Sequence, residues 1–300
     1  GAFAYCQKLN NIDTSENNNF IFENGTKVYF GKKCVQEFLP HLVQKYGKTV
    51  MLAYGGGSIR KNGIYEEVTE LIQKAGKDYP QCNAQFALMD PTYTFSVPKK
   101  QMISGSFDIL SHIMETYFSE PDEDNVSDDI SEALMKNVIK NLRAAIANPQ
   151  DYTARSNLMW DSTMAENRII KLGKKMDFEC HQIEHQLGAY TNCNHGFGLA
   201  VIHPVYYRHI CQSGLVKFAR FARNVWGISA KGKTEKELAI AGVEALADFI
   251  KEIGLPTTLR ELGMKDKSML PEIANSCNLS SGSYKKMTHE EILEILNECF

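Results

Sequence analysis

The sequence predicts an α/β segment over residues 1–98, followed by an all-helical domain over residues 99–300. Three observations carry this reading. Residues 49–53 form a short apolar run that leads straight into Gly55-Gly56-Gly57-Ser58, and a helical pattern follows with Ile64, Val68, Leu71, Ile72 and Ala75 on one face. From Lys99 onward the apolar residues keep a helical spacing throughout. Residues 180–195 hold three of the chain's eight histidines, His181, His185 and His195, around a break at residues 191–194.

The N-terminal part reads in order as follows. Residues 1–18 are polar and Asn-rich, which suits a mobile lead-in. Asn24-Gly25 lies between the apolar runs 20–22 and 28–30, a strong hairpin signal. Residues 34–46 carry Val35, Phe38, Leu42 and Val43 at helical spacing, and Gly47 ends that helix. The strand, glycine cluster and helix of residues 49–76 then match the opening unit of a dinucleotide-binding fold. Glycines let backbone N–H groups approach a phosphate, and the helix N-terminus favours its charge. Gly-rich turns between strand and helix are common, so the unit alone decides nothing.

The composition excludes several function classes. With 43% hydrophobic residues in 300, the chain can bury a sizeable core. A net charge of −3 offers no basic patch for nucleic acid. No apolar run reaches eighteen residues, and the N-terminus lacks a basic stretch followed by an apolar one, which disfavours a membrane span or a secretory leader. Eight scattered cysteines without a CxxC pair suit reduced thiols in a cytosolic protein. Cys180 and Cys193 flank the histidines but do not repeat their spacing, and read as packing residues.

In the helical part, helices are expected over residues 102–118, 127–147 and 152–172, with Ser127-Asp128-Asp129 capping the second. Met159, Trp160 and Met164 read as core, and residues 171–175 as a solvated basic run. Further helices fall at 218–226, 235–253, 259–264, 269–276 and 289–299. Gly254-Leu255-Pro256 gives a clean stop, and Thr288 to Glu291 a capping box. His41, His203, His209 and His289 have no matched partners.

The chemistry concentrates in two clusters. His181 and His185 are i and i+4, so both rings share one helix face, and His195 comes from the helix beyond the break. Asp108 and His112 are again i and i+4. One carboxylate and several imidazoles, with no cysteine in either spacing, suit a divalent first-row metal such as Fe(II) or Zn(II).

Asp108-x-x-x-His112, then His181-x-x-x-His185 and His195, resembles the metal-dependent, iron-containing (group III) alcohol dehydrogenases, most nearly their NADPH-dependent butanol dehydrogenase branch. Tyr54 to Gly63, Asp90 to Pro98 and Asn157 to Trp160 agree with this. The resemblance implies a dehydroquinate synthase-like architecture and a cytoplasmic homodimer acting on short- to medium-chain alcohols or aldehydes. It makes Asp108, His112, His181 and His195 the metal ligands and leaves His185 facing nicotinamide and substrate. Gly56, Gly57 and Ser58 would contact the 2′-phosphate side of NADP(H), and Tyr93 and Ser96 would face the cofactor. One departure stands out. The family continues its first βα unit with further units, whereas here residues 76–84 lead at once to a segment, 85–90, like its last strand before the helical domain. The cofactor part is therefore expected to be internally shortened near 76–84. Two other readings compete: a non-catalytic metal-binding helical remnant, and a metal-dependent hydrolase, which leaves the glycine loop unexplained.

Overall fold

In the computed structural model, residues 27–30, 32–45, 62–74, 86–121 and 124–300 are described. Strand β1 (Lys27–Phe30) pairs in parallel with β2 (Phe86–Met89), from Lys27 opposite Phe86 to Phe30 opposite Met89. Between them in sequence lie α1 (Cys34–Lys45) and α2 (Ile64–Lys74). Parallel strands require such a crossover, because a tight turn can join only antiparallel ones. Val35, Leu39 and Val43 of α1 bury against Ile72 of α2, with Leu88 of β2 packed alongside, as an apolar cluster separate from the main core. The first strand of the expected Asn24-Gly25 hairpin, the strand at 49–53 and Gly56, Gly57 and Ser58 lie outside the described residues.

A 3-10 turn, Pro91–Ser96, joins the two parts. Asp90 caps it, accepting from the Thr92 amide at 2.9 Å, and also accepts from the Lys33 amide at 2.5 Å. The buried Arg155 reaches back from the helical part to donate to Thr94 Oγ1 at 2.9 Å. Strand, turn and helices are thereby locked together by charge-assisted hydrogen bonds.

The helical spacing is realised as nine helices among the described residues: α3 (Lys99–Tyr117), α4 (Val126–Ala147), α5 (Tyr152–Glu166), α6 (Glu179–Thr191), α7 (His195–Ile210), α8 (Leu215–Asn224), α9 (Glu235–Glu252), α10 (Leu270–Ser276) and α11 (His289–Glu298). Helix α3 packs on α4, α5 and α7, and α6 on α7 and α10. One apolar core runs from Met102 to Cys299, with Phe107, Leu110, Met114, Val201, Tyr207 and Phe249 inside it. None of the helices is long and apolar enough to cross a membrane.

Several expectations change in physical detail. Asn125, not Ser127, caps α4, its side chain accepting from the Asp128 amide, while Ser127 lies inside the first turn. Helix α5 ends at Glu166 rather than 172, because Arg168 takes a left-handed φ of 74° that no helix continues through. Residues 259–264 form turns, not a helix. Trp160 is 42% exposed and so lies outside the core. Lys174, within the supposed solvated run, has a buried side chain 2.6 Å from Asp128 Oδ1. Capping boxes at Thr234 and Thr288 start α9 and α11, the second as expected.

Candidate metal centre

Helix α3 carries Asp108, His112 and Glu115 at i, i+4 and i+7, one stripe along a helix otherwise packed with Phe107, Leu110 and Met114. Opposite it, α6 begins at Glu179 and presents His181 and His185. Its N-cap residue, Phe178, has φ 58° and no capping side chain. A bulky residue in that region costs about 1–3 kcal/mol. The conformation sets the Phe178 ring 5.5 Å from the His112 ring and 5.2 Å from that of His181. Glu115 supplies the missing cap from α3, accepting from the Cys180 amide at 2.7 Å and the His181 amide at 3.4 Å. A carboxylate at the positive end of a helix is favourable. After the left-handed Asn192, Asn194 caps α7 by accepting from Phe197, and His195 is the first residue of that helix.

These elements bring four atoms together. Asp108 Oδ1 lies 3.5 Å from His112 Nε2, 3.4 Å from His181 Nε2 and 3.5 Å from His195 Nε2. On the far side of each ring stands another carboxylate. His181 Nδ1 contacts Glu115 Oε2, His195 Nδ1 contacts Glu184 Oε2, and His112 Nδ1 is 2.6 Å from Glu166 Oε1. The His181 and His195 rings are thus held at Nδ1 and turn Nε2 inward, whereas His112 Nδ1 has the Glu166 carboxylate close by without hydrogen-bond geometry. Sequence reading missed these three acids. Glu115 falls two helical turns after Asp108, and Glu184 lies between His181 and His185 within α6; both positions could have signalled a role. Glu166 comes from a distant helix, with no local sign.

The donor set fits a divalent cation. Asp108 Oδ1 and His181 Nε2 are buried without a hydrogen-bond partner, a costly state unless something else satisfies them. Metal–ligand bonds of about 2.1 Å in a tetrahedron place neighbouring ligand atoms about 3.4 Å apart, the spacing seen around Asp108 Oδ1. Charge agrees. Burial alone would raise the Asp108 carboxyl, but the surrounding imidazoles outweigh it and hold the group well below the usual carboxylate range. Burial likewise opposes a charged His181, yet Asp108 and Glu115 push it up to about 9. His195, facing Asp108 on one side and Glu184 on the other, is pushed up to about 10. The site therefore attracts positive charge strongly.

His185 stands beside this convergence. Its ring centroid is 5.9 Å from that of His181 and 5.5 Å from that of His195, with the second pair stacked. It is exposed, and the His195 side chain beside it is 40% exposed against 5% for His181. The site thus opens on the side of His185 and His195, as catalytic metal sites do and structural ones do not. Tyr93 and Ser96 sit in the connecting turn instead. Gln36 Nε2 donates to the Tyr93 hydroxyl at 3.4 Å, and Asn62 Nδ2 to Ser96 Oγ at 3.1 Å. Three of the four unmatched histidines are accounted for otherwise: His203 is buried against Ser111 Oγ at 2.6 Å, His209 pairs with Glu298, and His289 meets the Cys277 carbonyl.

The model of the Fe-containing alcohol dehydrogenase family, C-terminal region, matches residues 102–300, the whole of the segment just described. The chain belongs to that family. NADH-dependent butanol dehydrogenase A of Clostridium acetobutylicum is 28% identical over 388 residues, covering 94% of this chain and 99% of the relative. That alignment is longer than the 300-residue chain, so it opens gaps within it. The NADPH-dependent aldehyde reductase YqhD of Escherichia coli is 29% identical over 188 residues, 63% of this chain and 48% of the relative. Among solved structures, an NADH-dependent butanol dehydrogenase A from Thermotoga maritima superposes with a TM-score of 0.85 at 23% identity, covering 94% of this chain and 98% of that one. Such a likeness shows a shared fold. Family and relatives together make this member an alcohol dehydrogenase or aldehyde reductase, and do not favour its being a non-catalytic remnant.

Proposed function

We propose that this family member is an NADP(H)-dependent enzyme, a cytoplasmic homodimer that interconverts short- to medium-chain alcohols and aldehydes with Fe(II) or Zn(II) held by Asp108, His112, His181 and His195. The observation that carries this is the approach of three Nε2 atoms to one carboxylate oxygen at 3.4–3.5 Å. When bound, the metal supplies Lewis-acid polarisation of a substrate oxygen, and the nicotinamide supplies or accepts the hydride. The chain's own residues do the rest. Asp108 contributes the anionic oxygen, the three imidazoles contribute Nε2 lone pairs, and Phe178 packs the inner side against His112 and His181. His185, on the open side, exchanges the alcohol proton at a ring nitrogen. Burial, and then positive charge at the neighbouring His181 position, lower its pKa, so its ring is neutral and able to accept a proton near neutral pH.

The division of labour places cofactor binding in residues 1–98, shortened near 76–84, and metal binding in 99–300. The separate apolar cluster of α1 and α2 and the gaps against the butanol dehydrogenase support this. Preference for NADP(H) is supported by the small side chains of Gly56, Gly57 and Ser58, which leave room for a 2′-phosphate, as an acidic side chain there would not. The names of the two relatives above differ on this point, one NADH and one NADPH. Ser58→Asp is therefore expected to weaken NADPH more than NADH, read by nucleotide fluorescence. Equal weakening overturns the 2′-phosphate role, and no NADPH binding by the unmodified protein would favour the non-catalytic alternative.

The ligand assignment is tested by metal analysis alongside turnover of NADPH with a short aldehyde. His181→Ala is expected to lose metal and activity together, because coordination must reorganise around the gap. His185→Ala should keep its metal and lose turnover by about 10²–10⁴-fold, the contribution of a positioned acid–base group. Loss of metal from His185→Ala would refute the ligand set.

A further inference from the structure

Glu184 is buried, at 2% exposure, although it is an acidic residue on a helix that faces the open side of the metal centre. Its carboxylate crosses from α6 to α7, where Oε2 meets His195 Nδ1. The other oxygen, Oε1, accepts the Cys193 thiol at 3.9 Å. Two glycines make the space for it. A Cβ at Gly198 would lie 2.7 Å from Glu184 Cγ and 2.9 Å from Oε1, and one at Gly188 would lie 3.4 Å from Oε1. Gly198 sits inside α7, where glycine is a poor helix former. What this position uses is therefore the missing side chain. His195, the one ligand supplied by α7, has a side chain 40% exposed against 5% for His181, so burial fixes its ring less.

We propose that Glu184 is a positioning residue that keeps the proton on His195 Nδ1 and so frees Nε2 for the metal, and that Gly198 is the gap that lets it do so. The inference rests on the reading of His195 as a ligand. The ligand atoms of Glu184, His185 and His195 also lie within 4.8 Å of one another, as a second cation site would require. The direct contact between Glu184 and His195 Nδ1 and the stacking of His185 on His195 already account for that closeness.

The test uses the full chain loaded with Co(II), its release followed with a chromophoric chelator and its ligand-field bands by absorption. Glu184→Ala should release Co(II) about 10–100-fold faster and shift the bands, as removal of an outer carboxylate does. Glu184→Gln, which keeps an acceptor oxygen, should fall between it and the unmodified protein. Gly198→Ala should accelerate release when Glu184 is present and add nothing in Glu184→Ala/Gly198→Ala, since no carboxylate remains to be displaced. Equal acceleration by Gly198→Ala on both backgrounds, an unchanged rate in Glu184→Ala, or two Co(II) per chain overturns the proposal. His195→Ala separates this failure from the other. Retention of Co(II) at the unmodified rate in that variant would sink the ligand reading itself.

Discussion

Asp108 and the three inward-turned imidazoles form a site that prefers protons when it has no metal. His181 and His195 have pKa values near 9 and 10, far above the ordinary 6.5, because Asp108 and the outer acids Glu115 and Glu184 surround them. Both rings are then charged at pH 7.5, with the extra proton on Nε2. Coordination needs that nitrogen bare, so the proton must leave as metal enters. Metal uptake at pH 7.5 is expected to release about two protons per site, and release should decline as pH rises through about 9 and about 10. Titration calorimetry in buffers of different ionisation enthalpy reads this directly; heats independent of the buffer would contradict it. At this scale the spacing of the candidate residues was legible in the sequence. Asp108, His112, His181 and His185 obey the i, i+4 spacing of a single helix face, which sequence displays. The Nδ1 partners were not, since Glu115 is separated from His181, and Glu166 from His112, by whole helices.

The elements matter because the proposed ligands come from three helices, and α7 must meet α3 closely. Gly196, next to His195, makes that approach possible: a Cβ there would stand 2.3 Å from the Ser104 carbonyl oxygen of α3. Backbone cannot yield as a side-chain tip can, so Gly196→Ala must push the first turn of α7 away from the helix that carries Asp108. We expect this variant to keep its helical content while binding metal at least tenfold more weakly, an effect of about 1.4 kcal/mol. Equal metal retention, measured by chelator competition, would show that the α3–α7 approach is not what sets the site. Helix positions were legible from apolar spacing and caps, as at Thr288 and at the Gly254–Pro256 stop. Ends that depend on backbone conformation were not. Arg168 ends α5 with a positive φ that its residue type does not announce, and Phe178 starts α6 in the same way.

Over the whole molecule, the apolar residues of the helical part were legible from their spacing, whereas the buried acids among them had no sequence signature. Asp177 is among them, at 4% exposure, with Tyr206 donating to its Oδ2 at 2.9 Å. Burial, and then the negative Glu115, push its pKa up to about 7 against that hydrogen bond. Below the unfolded value of 3.8 the group is protonated in both states and costs nothing. Between 3.8 and about 7 the folded chain keeps a proton that the unfolded chain has released, so this group's contribution to stability declines as pH rises. Glu166 and Asp108 have lowered pKa values and act in the opposite sense, losing stability as pH falls, so the total curve would mask the effect. A difference between two proteins isolates it. Asp177→Asn removes the ionisation while keeping an oxygen for Tyr206. The melting temperature of the variant minus that of the unmodified protein, at equal metal content, should therefore increase from pH 4 to pH 7.5 and then level off. A gap that stays constant would mean that Asp177 ionises as freely in the folded core as in the unfolded chain.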